Sequence, residues 1–155
     1  MIARLARWLG QTRPMVWLAR TVIVPADSWV ARRTGGRLVT FGLRELPTFL
    51  LTTIGRRSGQ PRTVPLLYLP LGDQFVVVGS NFGGESHPAW SANLLAHPKA
   101  EVNVRGRPIP VTARLVEDDE REELMKRLRE LWPAYDKYAQ WSQRTLRVFL
   151  LTPDG

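Results

Sequence analysis

From residue 47 onward the sequence is built of short apolar runs with the period of strands, punctuated by Gly- and Pro-containing turns, and this pattern limits the fold more than any other feature. Residues 47–54 and 63–69 are β-like runs on either side of the turn Gly55-Arg56-Arg57-Ser58-Gly59-Gln60-Pro61. Leu71-Gly72-Asp73 is a second turn, and residues 74–79 carry Phe-Val-Val-Val, the pattern of a strand buried on both faces. Three antiparallel strands are predicted here. Pro88 opens a short helix over 89–96 that stops at His97-Pro98, and residues 100–105 and 109–116 form a further hairpin about Gly106. Asp119 and Glu122 have the spacing of a capping box, acids fill the first turn and Lys126, Arg127 and Arg129 the later ones, so a helix is predicted over 118–132. A last strand covers 146–152. About six strands, with helices inserted late and no βαβ alternation, predict an α+β, mainly β chain: a small antiparallel barrel rather than a doubly wound sheet.

Ahead of the strands lies a basic arm. Ile2, Leu5, Ala6 and Leu9 share one helical face, Pro14 breaks the run, residues 15–24 continue it, and Pro25-Ala26-Asp27 reads as a restart. Residues 1–47 hold eight arginines against Asp27 and Glu45, so most of the chain's net charge of +8 sits there. Trp8, Trp17 and Trp29 add aromatic bodies with polar edges. Such an arm either lies in a membrane interface beside anionic lipid or packs on the barrel or on a second copy of the chain. The division expected is an arm over 1–37 and a cofactor-binding barrel over 38–155. No apolar run reaches the roughly 20 residues that span a bilayer, and arginines interrupt every candidate signal sequence. The chain has no cysteine, which excludes disulfides and thiolate chemistry, and His87 and His97 come with no carboxylate cluster that suggests a metal. A cytoplasmic protein, peripheral at most to the inner face of the membrane, is the expectation.

The chemistry is concentrated in two loops. Arg56, Arg57 and Arg62 surround a glycine-rich turn whose free amides can join the guanidiniums in gripping a phosphate or carboxylate. One strand later comes Ser80-Asn81-Phe82-Gly83-Gly84-Glu85-Ser86-His87-Pro88-Ala89-Trp90. Neither G-x-G-x-x-G after a strand nor a P-loop is present, and no G-x-S-x-G elbow supports hydrolysis. What remains is rich in anion donors and aromatics and poor in acid–base residues, which suits a protein holding a cofactor with its own chemistry. His87 reads as a loop residue without chemical duty, and His97 as a helix stop.

In order along the chain, Thr52-Thr53-Ile54-Gly55-Arg56-Arg57-Ser58-Gly59-Gln60-Pro61-Arg62, Ser80 with Gly83-Gly84, His87-Pro88-Ala89-Trp90 with Asn93-Leu94 and His97-Pro98, and Pro133-Ala134-Tyr135-Asp136-Lys137-Tyr138 resemble the deazaflavin-dependent nitroreductase family. The resemblance covers roughly residues 40–153 and implies a split β-barrel that uses coenzyme F-420. It implies that Arg56, Arg57 and Ser58 hold the phosphate and acidic tail, with Arg62, Thr63, Val64, Pro65, Leu66 and Leu67 continuing that wall. Val78, Gly79, Ser80 and Asn81 would serve the pyrimidine side of the deazaflavin, where many relatives carry Lys in place of Asn81. Ala89, Trp90, Ser91, Ala92 and Asn93 would flank the ring or its ribityl chain, Trp90 being read equally as core. Tyr135 and Tyr138, with Trp132 and Trp141 on the same face, would close over coenzyme and substrate, the tyrosines as proton or hydrogen-bond donors. The implied reaction is hydride transfer to a small-molecule acceptor: a quinone, a nitroaromatic or an activated enone. FMN is the alternative cofactor, and the alternative functions are an FMN-binding split-barrel reductase or a non-enzymatic barrel that binds a cofactor or nucleic acid; a homo-oligomer is compatible, and nucleic acid is not the expected partner because the basic excess lies off the barrel.

Overall fold

The computed structural model describes residues 2–9, 11–35 and 46–155. Seven strands form one antiparallel sheet in the order β2-β1-β5-β6-β7-β4-β3. They are β1 (Thr48–Ile54), β2 (Pro61–Leu67), β3 (Leu69–Leu71), β4 (Gln74–Val78), β5 (Lys99–Val104), β6 (Arg107–Val116) and β7 (Val148–Pro153). The sheet curls into the half-barrel of a split-barrel fold. Helix α4 (Ala89–Ala96) follows β4, and α5 (Asp118–Leu131) and α6 (Ala134–Ser142) lie between β6 and β7.

Alternation along the central strands feeds two cores, one on each face of the sheet. Val77, Phe149 and Leu151 join Phe49, Leu51, Val102, Val111, Trp90 and Leu94 on one side. Val76, Val78, Val148 and Leu150 join Leu124, Met125, Leu128, Tyr135 and Tyr138 on the other. The β1–β2 hairpin is in register from Thr48↔Leu67 to Ile54↔Pro61, and the Thr52 and Thr63 hydroxyls meet across it at 2.8 Å. Gly55 closes that turn because a Cβ there would lie 2.5 Å from Ser58 Oγ and 3.2 Å from the Gln60 carbonyl.

Two expectations, the single strand over 63–69 and the capping box, are corrected. The predicted run 63–69 is divided between two strands: residues up to Leu67 pair with β1, a register that the Tyr68 N–H continues with its bond to the Pro47 carbonyl at 3.0 Å, and Leu69 begins the pairing with β4. The strands of this region pair antiparallel, as expected, and β4 pairs both with β3 and with the distant β7. Pro25 stands in the first turn of α3 (Val24–Arg33), the restart expected from sequence, and a π-helical stretch (Ala19–Ile23) joins α3 to α2 (Arg13–Leu18). The capping box does not form; Glu117 takes the cap position without a side-chain bond, Asp118 has φ of 54°, and the helix starts ahead of Asp119.

The arm packs on the barrel. After α1 (Ile2–Leu9), α2 buries Val16 in the core that holds Tyr135 and Tyr138, and the Arg13 guanidinium stands 5.5 Å from the centre of the Trp141 ring. Leu5, placed by sequence on one face with Leu9, is exposed, whereas Leu9 turns toward the barrel. Trp8, Trp17 and Trp29 are 65%, 66% and 55% exposed on the outer side. No helix among the described residues is long and apolar enough to cross a membrane. The expected boundary between residues 37 and 38 lies outside the described residues.

Candidate active site

The arginine turn forms a basic cleft of about 540 Å³ lined by Arg56, Arg57, Ser58, Arg62, Thr63, Val64, Ala89, Trp90 and Asn93. Arg32, from α3, adds a fourth guanidinium that sequence reasoning did not connect to the turn. Among the described residues no carboxylate lines this cleft, and none of the four arginines takes part in an ion pair. Four cations held without counter-charge suit a ligand that brings several negative charges of its own.

Arg56 is set in place by helix α4. Asn93 is buried, its Oδ1 accepts from the Arg56 backbone N–H at 3.1 Å and from Arg56 Nη1 at 3.3 Å, and its Nδ2 donates to Thr53 Oγ1 at 3.1 Å. Asn93 therefore works through Arg56, tying the turn to the sheet and the helix at once. Ser58 Oγ accepts from the Gln60 N–H and from Arg62 Nη2, which braces the far side of the turn.

Across Val64, Ala89 and Trp90, which line both, the basic cleft adjoins an apolar cavity of about 530 Å³. Its walls include Pro65, Leu66, Leu67, Val78, Ser80, Asn81, Tyr135 and Tyr138, with Trp132 alongside. Leu9, Met15, Val16, Ala19 and Ile23 from the arm complete it. Trp90 is both wall and core, 6% exposed and tilted on Phe149 at 5.9 Å. Gly79, Ser91 and Ala92 line neither space: Gly79 is buried with its N–H on the Arg147 carbonyl, and Ser91 is fully buried with its hydroxyl donating to the Pro88 carbonyl at 2.9 Å. The Asn81 amide turns back to the Ser86 carbonyl at 3.0 Å, so it braces its own loop.

Tyr135 and Tyr138 meet edge to face at 6.3 Å, and Phe82 and Trp141 pack on Tyr138. Burial pushes both phenols above their usual range, and the neighbouring Tyr138 raises Tyr135 further. At neutral pH they are hydrogen-bond donors or weak acids, never bases.

The loop between β4 and α4 is held from behind by Arg144, a residue the sequence did not single out. Its guanidinium donates to the carbonyls of Gly79 at 3.0 Å, Ser80 at 2.9 Å and Gly84 at 3.2 Å, and Nη1 lies 3.0 Å from His87 Nδ1. His87, read from sequence as a passive loop residue, also borders the apolar cavity. Desolvation first, then Arg147 and Arg144, push its pKa below the usual value of 6.5.

The model of the F420H(2)-dependent quinone reductase family matches residues 24–153. The chain belongs to that family. An F420H(2)-dependent quinone reductase of Mycobacterium tuberculosis is 32% identical over 147 residues, covering 88% of this chain and 95% of the relative. A solved F420-H2-dependent reductase, FDR-A, is 34% identical with a TM-score of 0.63, covering 68% of this chain and 94% of its own. A second solved structure, described as a domain-swapped dimer, is 32% identical with a TM-score of 0.65, covering 83% and 99%. As an F420H(2)-dependent quinone reductase family member the protein is an oxidoreductase with coenzyme F-420 as its cofactor. The donor set fits that group: an acid-free basic cleft for an anionic tail adjoins a largely apolar cavity for a flat ring.

Proposed function

We propose that this oxidoreductase transfers a hydride from reduced coenzyme F-420 to a quinone bound in the apolar cavity. The observation that carries the reading is the junction at Val64, Ala89 and Trp90, where an acid-free cleft of four arginines opens onto a space edged by two buried tyrosines. When bound, the reduced deazaflavin supplies the hydride from C5. The chain does the rest. Arg56, Arg57, Ser58 and Arg62, joined by Arg32, hold the phosphate and acidic tail, and Thr63, Val64, Pro65, Leu66 and Leu67 continue the wall. Val78, Gly79, Ser80 and Asn81 support the ring edge, and Ala89, Trp90, Ser91, Ala92 and Asn93 form the helix that backs it, Gly79, Ser91 and Ala92 from behind the walls. The arm and the barrel lining exclude water, which strengthens every polar contact inside. Tyr135 and Tyr138, kept protonated by burial, donate to the acceptor oxygen that gains negative charge. Nitroaromatics and activated enones present the same kind of oxygen, so the same cavity would accept them.

The barrel, residues 38–155, then carries the cofactor site, and the arm, residues 1–37, roofs it. The outer face of the arm, with Trp8, Trp17 and Trp29 exposed among arginines, suits an anionic membrane interface from which a lipophilic quinone would enter. Replacing Trp8 and Trp17 together by Ser is expected to reduce binding to vesicles of anionic phospholipid; unchanged binding would remove the membrane from the reading. The domain-swapped relative supports a homo-oligomer, which sedimentation would test.

The function itself is tested by fluorescence titration with oxidised coenzyme F-420, with FMN in parallel, followed by quinone reduction with the reduced coenzyme. Saturable binding lost in Arg56→Ala/Arg57→Ala, with turnover of a quinone, is the expected result. Absence of binding, or a preference for FMN, would overturn it.

A further inference from the structure

Arg144 and His87 lie 57 positions apart in sequence and come together at 3.0 Å. The contact fixes the state of the imidazole. A guanidinium has donors only, so Nδ1 of His87 must be the acceptor, and the ring is then neutral with its proton on Nε2. Both Arg144 and the neighbouring Arg147 lower the affinity of the ring for a second proton. The described partners of Arg144 are three carbonyls and this imidazole, with no carboxylate among them, so its charge is solvated by dipoles and not cancelled. That charge polarises the imidazole in one direction, from Nδ1 toward Nε2, and makes Nε2–H a stronger donor. The same residue borders the apolar cavity.

We propose that His87, held by Arg144 with its proton on Nε2, donates that N–H to a ligand oxygen bearing negative charge in the apolar cavity. His87 is then a direct contact of the ligand and Arg144 a positioning residue acting through it. The ligand oxygen is that of a conjugated carbonyl, which either the coenzyme ring or a quinone carries.

Arg144 has a second effect with the same sense. In a trans peptide the carbonyl and the following N–H point in opposite directions. With the Gly79 and Ser80 carbonyls turned to Arg144, the N–H groups of Ser80 and Asn81 point away from it, and both residues line the cavity. The loop so held places Asn81 and Phe82 at φ of 46° and 51°, a conformation that asparagine visits readily but that a bulky residue such as Phe82 adopts only when its surroundings impose it. One guanidinium thus fixes the orientation of an imidazole N–H and two amide N–H groups on residues that line a mostly hydrocarbon cavity.

The inference rests on the reading of this cavity as the ring and acceptor site, and the test separates the two. Imidazole ¹⁵N spectra of the intact protein, assigned with His97→Gln, are recorded free, with oxidised coenzyme F-420, and with a water-soluble benzoquinone, while coenzyme fluorescence reports binding in the same samples. The free protein is expected to show Nδ1 unprotonated and Nε2 protonated above the ordinary histidine pKa, and to keep that state to lower pH than a free imidazole does. An Nε2 shift on adding coenzyme assigns the ring oxygen as the acceptor of the bond, and a shift that needs the quinone assigns the substrate oxygen; either supports the proposal. Bound coenzyme with no Nε2 shift from either ligand overturns it alone. No coenzyme binding at all overturns the reading of the site and this proposal together. In kinetics, His87→Phe is expected to lose about tenfold in coenzyme affinity or in kcat/KM for the quinone, and His87→Gln, which keeps a donor, to recover most of it. Arg144→Lys should lower the same constant and leave the added effect of His87→Phe small, because the two act as one unit. A His87→Phe protein equal to wild type in both constants refutes the assignment.

Discussion

Asn93→Ala separates a residue that touches a ligand from one that positions its neighbour. The side chain is 3% exposed and makes three hydrogen bonds, two accepted from Arg56 and one donated to the fully buried Thr53. Each bond contributes about 1 kcal/mol net, and the Thr53 hydroxyl, left without its partner out of reach of water, adds a desolvation cost of similar size, so the loss is about 2–4 kcal/mol. In a domain of this size each kcal/mol lowers the melting temperature by about 2–4 °C, so a fall of about 4–16 °C is expected by circular dichroism. Coenzyme binding falls as well, because Arg56 must then be ordered on binding; immobilising one such side chain costs about 0.5–1.5 kcal/mol, or roughly two- to twelvefold in Kd. Asn93→Asp decides the mechanism. It keeps the acceptor for Arg56, and the Thr53 hydroxyl can turn to donate to it, so coenzyme affinity should recover even where burial of a carboxylate lowers stability. If Asn93 contacted the anionic ligand directly, the aspartate would repel it and affinity would fall below that of the alanine variant. That result, or an unchanged melting temperature in Asn93→Ala, would refute the reasoning.

Gly83 has φ of 76°, and a Cβ there would lie 3.0 Å from Trp141 Cε3 and 3.1 Å from the Tyr138 Cα, so Gly83→Ala should cost about 1–3 kcal/mol and detach the loop from α6, read as a lower melting temperature with weakened quinone kcat/KM. His87 makes stability depend on pH. Its folded pKa lies below the unfolded value of 6.5, so the native state binds fewer protons, and its contribution is fully present above pH 6.5 and lost as pH falls through the folded value. Wild type should therefore lose more of its melting temperature between neutral and mildly acidic pH than His87→Gln does; equal losses would contradict the sign. Phe149→Ala removes a ring that is 1% exposed and packed on Trp90, and should cost about 3–5 kcal/mol while lowering coenzyme affinity through the loosened wall.

The local parts of this molecule were legible in its sequence, and the parts built from distant pairs were not. The β1–β2 turn could be read because Gly55, Gly59 and Pro61 state their backbone requirements within seven residues. The Phe-Val-Val-Val run of β4 announced a strand buried on two faces, but nothing in it named β7, more than 70 positions away, as its neighbour. Pro25 marks the first turn of α3, where its missing N–H removes no bond, but the π-helical stretch that leads into it leaves no periodic signal. At the site, the arginines were visible as charge in a turn, whereas Arg32 and Arg144 sat in ordinary polar surroundings and gained meaning only through what the fold set opposite them. Asn93 was noticed for its position and its bonds to Arg56 were not, because 37 residues separate the two.

The strand order carries a consequence for how the chain is made. β7 is synthesised after every other strand, yet it stands between β6 and β4 and joins two groups of strands, β2-β1-β5-β6 and β4-β3, that do not otherwise touch in the ladder. Until it is in place neither half has a complete core on either face, since Val148 and Leu150 fill one and Phe149 and Leu151 the other. Arg144 precedes it by a few residues, so the loop it holds is unsupported for the same interval. A nascent chain of this type would expose two unfinished sheet edges to its surroundings until translation passes β7, and any delay there lengthens the time during which those edges can pair with a neighbour.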